Sequence, residues 1–133
     1  NLTGADLTGA DLRDADLTGA DLRGADLTGV IGLPDAPIVP RINSAVLAAI
    51  EGPYRIGRLE MSDWHTCGTT HCIAGWMIHL AGKKGYALEK MVGASMAGAL
   101  IFSASCPGQK VPNFTASNGE AFFALRERAA LEI

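Results

Sequence analysis

Apolar and polar positions follow two different rules along this chain. From Leu2 to Leu27 a leucine returns every fifth residue, at positions 2, 7, 12, 17, 22 and 27. On an α-helix each step of five turns the side chain by about 140°, which spreads the leucines around the cylinder and leaves no apolar stripe. On a β-strand an odd step sends successive leucines to opposite faces. The recurring Gly and Thr also disfavour a helix. One geometry satisfies the pattern: a chain that turns a corner once per repeat, so that each leucine points inward from its own short side.

The rule changes at Val30-Ile31-Gly32, where Leu33 falls out of register, and three prolines in "LPDAPIVP" end the repeat and form a linker. Helical periodicity follows. Pro40 to Glu51 places Ile42, Ala45, Val46, Ala49 and Ile50 on one face, with Gly52 beyond the end. Thr70 to Ala81 does the same with Ile73, Trp76, Met77, Leu80 and Ala81, capped by Thr69 or Thr70 and closed by Gly82. Ala87 to Phe102 continues with Leu88, Met91, Val92, Ser95, Met96 and Ala99 as one predicted helix. Ser117-Asn-Gly-Glu120 is a capping box that opens a last helix through Phe122, Leu125 and Ala129. Tyr54 to Met61 is read as a short extended piece, and the four helices as a small bundle.

Five copies in register, Ala5-Asp6-Leu7, Ala10-Asp11-Leu12, Ala15-Asp16-Leu17, Ala20-Asp21-Leu22 and Ala25-Asp26-Leu27, resemble the pentapeptide-repeat family. The resemblance implies an α+β chain: a short right-handed quadrilateral β-helix, a pentapeptide-repeat solenoid, followed by a small α-helical bundle that caps it. The expected divisions are 1–33 for the repeat, 34–40 for the Pro-rich linker and 41–133 for the helical part. The chain begins inside a repeat at Asn1, so missing upstream coils are expected, and an open coil end could pair with another copy. The helical segment has the look of domains that follow such repeats in some bacterial and phage proteins, with no activity attached.

Charge sharpens this division. Residues 1–29 carry six Asp and two Arg, a net of −4, whereas the rest has eight acids and nine bases, a net of +1. The whole chain, at −3, has no basic footprint for direct nucleic-acid binding or for an anionic membrane. No apolar run approaches the ~20 residues that cross a bilayer. Three cysteines cannot pair off completely, so a reducing, cytoplasmic setting is expected.

Two chemistries compete for function. The first reading is a non-enzymatic protein-binding or assembly module, with Asp6, Asp11, Asp16, Asp21 and Asp26 facing outward toward a protein partner and no cofactor. Within the family resemblance this extends to inhibition of a DNA-binding protein by DNA mimicry. The short repeat and the interrupting Arg13 and Arg23 speak against that extension. The same aspartates would equally serve as a solvated surface.

The second reading centres on "DWHTCGTTHCIAGW", Asp63 to Trp76. His65, Cys67, His71 and Cys72 are zinc-ligand types in the number a structural site wants, although adjacent His71 and Cys72 diverge on a helix and no Cys-x-x-Cys is present. Cys67 or Cys72 near a helix start, with His65 or His71 as base, would suit a thiol-dependent enzyme. A structural reading stands beside both. It treats the cysteines as small buried hydrophobes, Trp64 and Trp76 as packing anchors, and His79 and Cys106 as packing or surface residues.

Overall fold

A computed structural model of the chain describes residues 4–13, 22, 24–53, 55–61, 70–114 and 116–132. In chain order the described elements are α1 (Ile42–Ile50), β1 (Arg58–Leu59), β2 (Thr70–His71), α2 (Ile73–Leu80), α3 (Gly82–Val92), α4 (Ala94–Ser105) and α5 (Asn118–Ala130). Strands β1 and β2 pair in parallel, Arg58 with Thr70 and Leu59 with His71. Among the described residues no helix is long and apolar enough to cross a membrane.

The helices start and stop for reasons written in their ends. Ser117 accepts from the N–H of Glu120 while Glu120 returns a bond to the Ser117 N–H, so the capping box forms as its residues predict. The stretch read as one helix from Ala87 to Phe102 is two. Gly93 sits at φ 88°, ψ 163°, a conformation that a residue with a Cβ avoids, and it separates α3 from α4. Periodicity alone missed the break, because the apolar positions stay in phase across it. The second helix also starts later than its pattern predicts. Thr70 and His71 are strand, and Cys72 takes the N-cap, its Sγ accepting from the N–H of Gly75 at 3.3 Å.

The core is built around α2, whose residues Ile73 to Ile78 are buried along its whole circumference. Helix α4 crosses it closely: a Cβ placed on Gly98 would lie 2.6 Å from Ala74 Cβ and 3.1 Å from its Cα. Trp76 is buried, and its indole N–H donates to the Arg58 carbonyl at 2.8 Å, tying α2 to β1.

The repeat joins this core. Leu22, Ala25 and Leu27 are buried in one cluster with the helical residues, and Leu7 packs partly against it. The loop after α4 lies along the repeat. The Gly24 N–H donates to the Val111 carbonyl at 2.6 Å, and the Val111 N–H donates to the Ala25 carbonyl at 2.9 Å. Asp6 bridges Asp26 and Asp11 bridges Ile31, both parallel, an offset of 20 residues in each case.

These observations correct the expected fold class. The described architecture is dominated by five helices, and its one regular sheet is the β1–β2 pair. A right-handed quadrilateral β-helix is not what the described repeat residues form; they make isolated single-residue bridges between turns. The physical reason is length. Each described five-residue copy spends most of its backbone on a turn, which leaves one residue to bridge. Residues 4–13 and 24–31 supply a single overlap, while a solenoid draws its stability from a succession of stacked neighbours. The packed core comes from the helices instead.

Candidate functional site

Each described aspartate of the repeat closes its own turn. Asp6 Oδ1 accepts from the Thr8 N–H at 3.0 Å, Asp11 Oδ1 from the Arg13 N–H at 3.0 Å, and Asp26 Oδ1 from the Thr28 N–H at 2.9 Å. This is the Asx-turn, in which a short carboxylate bonds its own backbone two residues on. The Thr28 hydroxyl adds a 2.6 Å bond to Asp26, and the Arg13 guanidinium grips both oxygens of Asp11.

The electrostatics follow from these bonds. The side chain and then the backbone of Thr8 hold Asp6 below its ordinary carboxylate value, and Thr28 does the same for Asp26. Asp11 is held down first by the Arg13 side chain and then by its backbone N–H. Asp6 pushes Asp26 upward as a like charge across their bridge, and Lys110 eases both. Asp6 and Asp11 are exposed and Asp26 is half-buried. Asp16 and Asp21 lie outside the described residues.

A second cluster gathers at the α2–α3 corner. His71, 0% exposed, stacks on His79 with ring centroids 4.8 Å apart. Trp76 meets both rings edge-on, at 4.7 and 5.6 Å. His79 Nδ1 lies 2.8 Å from the Tyr86 hydroxyl. Burial, and then the charge of Glu89, push Tyr86 above its ordinary value, so its hydroxyl stays protonated.

Cys72 is 1% exposed, with its sulfur turned to the Gly75 N–H. His71 and Cys72 are thus adjacent and buried, while His65 and Cys67 lie outside the described residues. Among the described residues no group of three or more His, Cys, Asp or Glu side chains could hold a metal ion. Sequence reasoning set His79 aside and did not single out Tyr86. Their seven-residue spacing across the Gly82 corner was the signal, since a turn between helices can bring together residues that straddle it.

Residues 1–31 match the family model for pentapeptide repeats, with eight copies. No curated protein and no solved structure matches the chain. A pentapeptide repeat points to a protein-interaction or structural role, and the helical remainder has no assigned family.

Proposed function

We propose that this chain is a non-enzymatic protein-binding or assembly module that presents the acidic face of its repeat to a protein partner. The observation that supports this most is the fixation of the carboxylates. Asp6, Asp11 and Asp26 are held ionised and oriented by their own turns, on a segment whose Leu22 and Leu27 are buried in the helical core and whose Leu7 packs partly against it. Pre-set charges lose little side-chain entropy on binding, which favours recognition of a basic surface. Asp16 and Asp21 belong to the same sequence ladder. Mimicry of a DNA duplex fits less well, because the Arg13 guanidinium neutralises Asp11. The thiol reading is weakened by the burial of Cys72 and by the use of its sulfur as a helix cap.

Asparagine is the decisive substitution, because it keeps the turn-closing oxygen and removes the charge. Replacing Asp6, Asp11 and Asp26 should change unfolding by about 0.5 kcal/mol or less per site, the range of surface substitutions. Partners captured by the parent chain should be lost, and capture by the parent should weaken with salt. Equal capture by the asparagine variant would remove the acidic face from the account.

A further inference from the structure

The first described turn of the repeat, residues 4–13, pairs along one edge only. The Asp26 N–H donates to the Ala5 carbonyl at 3.0 Å, and the Leu7 N–H donates to the Asp26 carbonyl at 3.0 Å. Ile31 makes the same two bonds with Ala10 and Leu12, at 2.9 and 2.8 Å. Extended backbone sends the N–H and C=O groups of successive residues to opposite sides. Those of Asp6 and Asp11 therefore point away from the second turn, and among the described residues nothing bonds them. Leu7 and Leu12, in this first turn, are half-buried, whereas Leu22 and Leu27 are 1% and 7% exposed. An open backbone edge beside a partly covered apolar layer is a template for further pairing.

What already pairs with the inner edge indicates what fits the outer one. Asp6 faces Asp26 and Asp11 faces Ile31, so one five-residue copy accepts another of this chain. The corners permit the approach. A Cβ placed on Gly24 would stand 3.5 Å from the Gly4 backbone, and one on Gly29 3.6 Å from the Gly9 backbone, whereas Gly4 and Gly9 have open space where their own Cβ would lie. The second turn is met inside the chain, where the Val111 loop bonds Gly24 and Ala25. A head-to-tail stack of copies is obstructed there, which leaves like edges to meet across a two-fold axis. Charge permits this meeting. Arg13 neutralises Asp11, so Asp6 is the one carboxylate of the described first turn without an ion pair.

We propose that the Asp6–Asp11 edge binds the same edge of a second copy of this chain, forming a closed two-fold dimer in which Leu7 and Leu12 become buried. The contact is continuous with the pairing inside the repeat and ends at two copies. It covers the end of a single turn, less than the ~1,200 Å² at which standard interfaces begin, so the dimer is weak and forms at high protein concentration. Backbone groups and leucines hold it. It does not depend on the carboxylate charge that recognition of a basic partner uses.

The test is sedimentation equilibrium and amide NMR of the full chain between about 10 μM and about 1 mM. The mass of the parent should rise toward that of a dimer and no further. The amide resonances of Asp6 and Asp11 should move with concentration more than those of Asp26 and Ile31, which are bonded inside the chain. The double variant D6P/D11P removes both outward N–H groups and no internal bond donated by them, and should weaken association by about tenfold or more. D6N/D11N keeps the edge and removes charge, so it should associate at least as tightly as the parent. Added salt should not weaken the dimer, in contrast to capture through the acidic face. The parent's own amide shifts decide the question if the proline variant does not fold. The proposal is overturned if the parent stays monomeric at about 1 mM, if the Asp6 and Asp11 amides do not move, or if species larger than a dimer form. It is equally overturned if folded D6P/D11P associates like the parent, or if D6N/D11N or salt dissolves the dimer.

Discussion

The carboxylate of Glu132 accepts the backbone N–H of Ser44 at 2.7 Å, so a residue just beyond α5 closes the first turn of α1 from across the molecule. Its other oxygen takes the backbone and side-chain N–H groups of Asn43, at 3.1 and 2.8 Å. Helix α1 has no side-chain cap of its own, since Arg41 occupies the N-cap. Glu132 supplies the missing acceptor and a negative charge at the positive end of the helix dipole. Buried Asn43 also accepts from Arg128 Nε at 2.8 Å, which draws α5 into the same network.

Glu132→Gln should therefore destabilise the fold by about 1–2 kcal/mol, as loss of a charged cap does. The pH dependence has a definite sign. Burial alone would raise Glu132, but the bonds from Ser44 and Asn43 outweigh it and hold the group below its ordinary 4.5. Its contribution is complete above that value and is lost as pH falls through the lower, folded value. Urea unfolding of parent and E132Q should differ most near neutrality and converge in acid. A difference that does not depend on pH would contradict the assignment.

The approach of α4 to α2 predicts a second outcome. Gly98→Ala drives a methyl group against Ala74, with the side chain at 2.6 Å and the backbone at 3.1 Å, and should cost about 1–3 kcal/mol. Ala74→Gly in the same chain opens space for that methyl and should recover part of the loss. Thermal unfolding in a double-mutant cycle reads the coupling, and strictly additive effects would mean that the helices do not meet there.

Much of this was legible from local signals. The capping box at Ser117 and Glu120 and the apolar face of α1 are encoded within a few residues of where they act. The five-residue leucine interval likewise marked Leu22 and Leu27, both of which are buried. Long-range partners were not legible: Glu132 meets Asn43 across 89 residues, and the β1–β2 pair brings Thr70 out of a predicted helix. The break at Gly93 was not legible within the predicted helix, because backbone conformation at a glycine leaves no mark on hydrophobic phase. The stacked β-helix came from the family resemblance; the five-residue periodicity by itself gives only a chain that turns once per repeat, and a solenoid needs a succession of coils to stack.

Cys72 supplies a third prediction. As an N-cap acceptor it should tolerate serine, the better capping residue, with a change under about 1 kcal/mol, whereas Cys72→Val loses the cap and should cost about 1 kcal/mol or more. The native thiol, 1% exposed, should react slowly with iodoacetamide, as should Cys106, whose thiol is pushed up by burial and then by Glu132. Rapid labelling of Cys72 in the folded chain would return the nucleophile reading to consideration.

The most direct test is native-state amide hydrogen exchange read residue by residue. The repeat is locked to the helices through the Val111 loop and a shared apolar core. The amides of Leu7, Asp26, Ile31 and Val111 should then be protected to nearly the same degree as those inside α2 and α4, and lose protection together with them as urea is added. Repeat amides that exchange at unprotected rates while the helical amides remain slow would contradict it.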